Sequence, residues 1–242
     1  MREIRNVYGV ILAGGSGTRM NSPTPKQFLM LGDAPVFIHS ARKLLADTRV
    51  KQLWIGANGD WYDLARQQIG EFIGEGDSAR VMMCQGGADR EETLLNTLSA
   101  ICGHNSIGPD DVVLIHDSVR PFLTSRIIDN VIREMAFCDA CNTVVPVNDT
   151  VVQSADGNTI SGMPARGELF AGQSPQGFRL TTLLDAFASL TPEERKQLTE
   201  TTKVCFLKNI SIHIVRGEFF NFKITTPYDW RVAQNNLDLL EG

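Results

Sequence analysis

The chain has 242 residues, 43% of them hydrophobic and 21% charged, and a net charge of −5 at pH 7. That length suits one α/β domain with a single buried core, and the composition excludes a disordered chain. The acidic balance argues against a general binder of nucleic acid or anionic membrane, and no run approaches the ~20 apolar residues that span a bilayer.

The first six residues are charged and run straight into an apolar stretch without a secretory h-region, so a cytoplasmic location is expected. The five cysteines sit mostly in apolar runs, as reduced buried thiols do. Cys138-Asp-Ala-Cys141 has zinc or redox spacing, but no second Cys or His pair accompanies it in the sequence, which leaves the spacing without a metal or redox reading.

Residues 7–13 form an apolar run that reads as the first strand and enters the turn Gly14-Gly15-Ser16-Gly17. Glycines let backbone N–H groups crowd an anion because no Cβ blocks the approach. Arg19 and Lys26 follow seven residues apart around two prolines, a spacing that brings two cations together from an irregular loop. Such a loop is suited to a polyphosphate. It is not a P-loop, because no Lys-Ser or Lys-Thr follows the glycines. Nor is it a dinucleotide-binding fingerprint: Met20 stands at the third glycine position, and the next strand ends Gly56-Ala57-Asn58 without a carboxylate.

Further elements alternate. Residues 35–46 predict a helix with Pro at its first turn, 50–56 a strand, 61–73 a helix, 80–84 a strand, 91–101 a helix, 111–115 a strand and 124–137 a helix. This rhythm predicts a Rossmann-like α/β fold: a mostly parallel twisted sheet, helices on both faces, and a ligand site at the carboxyl ends of the strands. The rhythm breaks at residues 148–177, where Thr150-Val-Val-Gln and Asn158-Thr-Ile-Ser flank Ala155-Asp-Gly and predict a protruding β-hairpin arm that needs something to pack on. Residues 180–190 and 192–199 resume as helices, 211–215 is a late strand, and 228–240 is a closing helix. With no repeat or linker, a single domain over 1–242 is expected.

Leu12-Ala-Gly-Gly-x-Gly-Thr-Arg-Met with Pro25-Lys-Gln is followed in order by Gly86-Gly-Ala-Asp-Arg90, His116-Asp-Ser-Val-Arg-Pro-Phe122, Gln173-Ser-Pro-Gln-Gly-Phe178 and Lys223-Ile-Thr-Thr226. Across nearly the whole chain this series resembles the cytidylyltransferase family that contains the 2-C-methyl-D-erythritol 4-phosphate and ribitol-5-phosphate enzymes. Gly59-Asp-Trp61, Gly-Gly-Ala-Asp-Arg and His-Asp-Ser-Val-Arg-Pro-Phe lean toward the ribitol branch, as does Thr199-Glu-Thr201 where the methylerythritol branch usually carries two carboxylates. The resemblance implies transfer of CMP from CTP to ribitol 5-phosphate, with 2-C-methyl-D-erythritol 4-phosphate or another polyol phosphate as the alternative acceptor. A silent nucleotide-binding protein is the competing class, and it would be favoured by loss of Arg19, Lys26 or Lys223, all of which are present.

By the same resemblance, Arg19, Lys26, Arg166 and Lys223 carry catalysis, Arg166 being the arm residue that enters a neighbouring subunit's site in a homodimer. Leu12, Ala13, Gly14, Gly15, Ser16 and Gly17 would line the nucleotide. Gly86, Gly87, Ala88, Asp89, Arg90, Glu91, Glu92, Thr93 and Ser118 would complete its site. Asp117, Arg120, Thr150 and Ser174 would bind the acceptor. Mg²⁺ is expected mainly through the CTP phosphates, with Asp117 as a candidate protein ligand. His116 reads as packing or a hydrogen bond, since an ionised phosphate nucleophile needs no general base.

Overall fold

A computed structural model describes residues 1–15 and 23–240. In chain order the elements are β1 (Asn6–Leu12), a two-stranded ribbon of β2 (Met30–Leu31) and β3 (Ala34–Pro35), α1 (Val36–Ala46), β4 (Val50–Ala57), α2 (Tyr62–Phe72), α3 (Glu75–Ser78), β5 (Val81–Gln85), α4 (Arg90–His104), β6 (Asp111–Asp117) and α5 (Ser125–Glu134). The second half adds β7 (Ala140–Pro146), β8 (Phe170–Arg179), α6 (Leu180–Ala188), α7 (Pro192–Arg195), α8 (Thr202–Leu207), β9 (Ile212–Arg216) and α9 (Pro227–Gln234).

The main sheet has seven strands in the order β5-β4-β1-β6-β8-β7-β9. β1 pairs in parallel with β4 on one side and β6 on the other, and β4 with β5. β8 runs antiparallel to both β6 and β7, and β9 returns to parallel pairing with β7. β1 is therefore the switch point, where successive connections leave toward opposite edges, and the carboxyl ends beside it open a crevice.

Strand composition explains the two-sided core. Val7 and Ile11 of β1 face the layer made by α1, α2 and α5, while Tyr8, Val10 and Leu12 face the layer of α4, α6 and α8. Both sets are buried, so β1 carries a continuous apolar run rather than a polar–apolar alternation. α4 turns Leu94, Leu98 and Ile101 onto the sheet at i, i+4 and i+7. α5 presents Ile127, Ile128, Val131 and Ile132, and Thr124 caps it by accepting the Ile127 N–H at 3.3 Å.

The predicted elements of the first half hold to within a few residues. The second half required corrections. β7 and the sheet strand β8 lay unread in the sequence, and residues 170–177, assigned to the arm, are an interior strand flanked by β6 and β7. The arm is shorter than predicted and scarcely paired: Gln153 and Gly162 form an isolated antiparallel bridge. Its turn is organised by Asp156, whose Oδ1 accepts the N–H groups of Asn158 and Thr159 at 2.9 and 2.8 Å. The predicted helix 192–199 stops at Arg195, and the closing helix stops at Gln234 before a short 3₁₀ turn.

Candidate active site

Loops at the carboxyl ends of β1, β4, β5 and β6 enclose a cleft of about 350 Å³. The β1 loop is pinned where the Ala13 N–H donates to the Gly56 carbonyl at 2.8 Å, and Gln27 Nε2 donates to the carbonyls of Ala13 and Gly15 at 2.9 and 2.7 Å. A Cβ on Gly14 would stand 2.7 Å from Thr93 Oγ1, so only glycine lets the loop lie against α4. Ser16, Gly17 and Arg19 lie outside the described residues. Lys26 opens a 3₁₀ turn, is buried, and reaches the cleft with Nζ 3.4 Å from the Thr225 carbonyl it donates to.

The Gly86–Thr93 segment is held by its own hydrogen bonds. The amides of Gly86, Gly87 and Ala88 do not stand open to a base. They donate to the Ala57 carbonyl at 2.6 Å, to Thr93 Oγ1 at 3.0 Å and to Glu92 Oε2 at 2.7 Å. Gly87 is glycine because Glu92 folds back over it, 2.2 Å from where a Cβ would be. Asp89 Oδ1 caps α4 by accepting the Glu92 N–H at 2.8 Å. Ala88, Asp89, Arg90 and Thr93 line the cleft, which therefore receives the positive end of a fifteen-residue helix.

Asp117, the last residue of β6, is the electrostatic centre. Lys223 Nζ lies 3.0 Å from its carboxylate, Arg90 Nη2 3.4 Å and Arg120 Nε 3.6 Å. Burial opposes ionisation of this carboxyl, but the charges of Lys223, Arg90 and Arg120 outweigh it and hold the group well below the usual carboxylate range. Arg120 does not face the cleft as an open acceptor-binding group. It is 8% exposed and donates to the carbonyls of Asn221 at 2.9 Å and Gly172 at 3.3 Å. Together with the Ile224 N–H to Val119 carbonyl bond at 2.9 Å, this fixes the segment that carries Lys223.

Behind Asp117 a buried chain sets its position. The Asp117 N–H donates to Ser174 Oγ at 3.1 Å, and Ser174 Oγ lies 3.0 Å from His116 Nδ1. His116 Nε2 lies 3.1 Å from the Arg120 carbonyl, so a neutral ring with its proton on Nε2 completes the chain. Burial pushes the His116 pKa down to about 4. His116 is a scaffold group, as read from the sequence, and Ser174 belongs with it as a positioning residue rather than as an open acceptor contact.

Leu12, Gly14, Gly15, Lys26, Ala88, Asp89, Arg90, Thr93, Asp117, Ser118 and Lys223 thus converge on one cleft. Ala13, Gly86, Gly87 and Glu92 shape its walls, and Glu91 turns away to pair with Arg195 at 2.8 Å. Thr150 and Arg166 remain exposed on the arm, where Arg166 Nη1 donates to the Asn148 carbonyl at 3.1 Å. Asn58, Val119 and Gln27 line the cleft without having been singled out as site residues. Asn58 was legible by position, since it stands at the strand end where a dinucleotide-binding chain carries its acid.

A glycine-shaped loop, a helix amino terminus and a cluster of cations at a switch point define an α/β protein built for a phosphorylated nucleotide. The chain belongs to the 2-C-methyl-D-erythritol 4-phosphate cytidylyltransferase (IspD) family, whose sequence pattern matches residues 7–238. It is 42% identical over 228 residues to the ribitol-5-phosphate cytidylyltransferase of Lactiplantibacillus plantarum, covering 94% of this chain and 96% of that one. To the ribitol-5-phosphate cytidylyltransferase of Streptococcus pneumoniae serotype 2 it is 38% identical over 233 residues, covering 96% and 99%. A crystal structure of 4-diphosphocytidyl-2C-methyl-D-erythritol synthase superposes with a TM-score of 0.80 at 22% identity, covering 97% of this chain and 99% of that one; at that identity the likeness establishes the fold.

Proposed function

We propose that this cytidylyltransferase transfers CMP from CTP to ribitol 5-phosphate. A phosphate oxygen of the acceptor attacks the α-phosphorus, the bond from that phosphorus to the bridging oxygen breaks, and pyrophosphate leaves. Nucleophile and electrophile are both anionic, so the protein's task is to neutralise charge and hold the groups in line. The observation that carries the reading is the set of cations gathered at the strand ends: Lys26 on one wall, Lys223 and Arg90 around Asp117 on the other. The acceptor is inferred from the relatives at 38–42% identity.

Lys26, with Arg19, stabilises the charge that builds on the α-phosphate, and the α4 amino terminus holds the phosphates in place. Lys223 binds the acceptor phosphate beside Asp117, whose carboxylate is left to accept polyol hydroxyls at its open edge. No general base is required, in keeping with a His116 that is neutral and buried. Mg²⁺ fits this site as a companion of the triphosphate rather than as a directly ligated ion: both Asp117 oxygens already face cations, and Asp89 is committed to its helix. When bound, Mg²⁺ would supply charge neutralisation at the phosphates, and Asp117 is the carboxylate on the cleft wall that would face it. Arg166, exposed on its arm, completes the acceptor site of a second copy, which makes the working unit a homodimer, and the enzyme works in the cytoplasm.

The test is pyrophosphate release from CTP across a panel of polyol phosphates. Ribitol 5-phosphate is expected to give the highest kcat/KM. A higher value for 2-C-methyl-D-erythritol 4-phosphate would reverse the choice, and no turnover of any acceptor would favour the silent binding protein.

A further inference from the structure

At the amino ends of β7 and β9, on the side of the sheet opposite the cleft, three side chains of metal-ligating type meet. Glu134 is the last residue of α5, Cys138 lies in the turn that follows, and His213 is on edge strand β9, paired in register with Cys141 of β7. The Cys138 thiol, a His213 ring nitrogen and a Glu134 carboxylate oxygen all lie within 4.8 Å of one another. Glu134 Oε1 and His213 Nδ1 are 2.6 Å apart. Nearby cations are already engaged: Arg133 pairs with Asp129 at 2.9 Å and Arg2 with Asp139 at 2.6 Å, so neither neutralises the Glu134 carboxylate.

We propose that Glu134, Cys138 and His213 form a binding site for a borderline divalent cation of the Zn²⁺ class, separate from the nucleotide site. The donor set is one thiolate, one imidazole and one carboxylate, which suits Zn²⁺ and disfavours Mg²⁺. The three side chains adjust as the ion binds. Bonds of ~2.0 Å to nitrogen and oxygen and ~2.3 Å to sulfur around a tetrahedral ion place ligand atoms ~3.3–3.6 Å apart. The Glu134–His213 pair, 2.6 Å apart, therefore opens by ~0.7 Å as the metal replaces the proton between them, ligand atoms farther apart than ~3.6 Å draw together, and the Cys138 proton leaves to solvent. A water takes the fourth position. The ion ties edge strand β9 to the end of α5 and to the entry of β7, three elements far apart in sequence. Cys138-Asp-Ala-Cys141 lacked a partner pair in the sequence; the fold brings two other ligands to Cys138.

The experiment is titration of the chelator-treated, full-length protein with Co²⁺, followed by absorption and by competition with Zn²⁺. One equivalent should bind with a thiolate-to-metal charge-transfer band and be displaced by Zn²⁺, and Zn²⁺ should raise Tm. His213→Ala and Cys138→Ser should each abolish the band and weaken binding by at least ~10–100-fold, since even supporting groups around a metal cost that much. Cys102→Ser, at a thiol elsewhere, should leave the band intact. Nucleotidyl transfer by His213→Ala at saturating Mg²⁺ should match the wild type. Wild-type protein that binds no equivalent of Co²⁺, or a charge-transfer band that survives in Cys138→Ser, would overturn the site. His213 is partly exposed, so His213→Ala should fold whether or not Cys138→Ser does, and unchanged affinity in it refutes the proposal by itself.

Discussion

Replacing Asp117 by asparagine keeps the shape of the side chain and removes the charge on which Lys223, Arg90 and Arg120 converge. At 3.0, 3.4 and 3.6 Å, each contact carries ~4–6 kcal/mol of Coulomb attraction at an effective dielectric of ~20, most of which offsets the desolvation of the ions. What remains is the cost of leaving Arg120, 8% exposed, without its counter-charge. Breaking a buried pair in this way costs ~3–5 kcal/mol. The lower end applies here, because Lys223 keeps a side-chain exposure of 39% and can turn to solvent. A loss of ~3 kcal/mol lowers Tm by ~6–12 °C in a chain of this size. Turnover should fall ~10²-fold as Lys223 and Arg90 lose their common anchor. Thermal unfolding and pyrophosphate release measure the two effects. The double variant Asp117→Asn/Lys223→Met should recover part of the lost stability and none of the activity, because one repelling cation is gone. A single variant within ~2 °C of wild type, or a double variant no more stable than it, would refute the view of Asp117 as the hub of this charge cluster.

Lys26→Met should cut kcat by ~10²–10³, the usual cost of losing one charge-stabilising group in a transition state; because Lys26 is buried, the apolar methionine should fold, and near-normal turnover would remove Lys26 from the chemistry. For His116 the folded pKa is lowered to about 4, so its contribution to stability is fully present above its unfolded value of ~6.5 and is lost as pH falls toward 4, at up to ~1.4 kcal/mol per pH unit. His39, also lowered by burial, acts in the same direction. Tm should therefore drop between pH 7 and pH 5, and the drop should be smaller in His116→Gln; an equal drop would show that His116 does not carry it. Mixing inactive Arg166→Ala with inactive Lys26→Met should restore activity, since a mixed dimer holds one site with Lys26 from one chain and Arg166 from the other. A mixture as inactive as its components would mean that each site is built within a single chain.

Local pattern was enough to read the first half of the fold. The strands at the switch point are continuous apolar runs and the helices between them carry periodic apolar faces and start signals, so each element announces itself within a dozen residues. The glycines and cations of the loop after β1 are likewise neighbours in sequence, and Asp117 stands where a strand end is legible. What sequence alone could not reveal depends on groups brought together from afar. Residues 170–177 read as part of the arm because Gly172, Pro175 and Gly177 depress the propensity for a sheet strand, and only β6 and β7 closing on either side make them one. The Gly87 and Ala88 amides are bonded in three dimensions because the Thr93 and Glu92 side chains fold back onto them, and the Gly86 amide is bonded because the Ala57 carbonyl of the neighbouring strand reaches it. Arg120 reads as a ligand-binding cation, yet carbonyls 52 and 101 residues away enclose it. Lys223 and Asp117, separated by 106 residues, form a pair through the anchoring of the Asn221–Ile224 segment. Propensity and motif are local, whereas burial, pairing and charge balance are properties of the whole chain, and they decide which polar groups remain available for substrate.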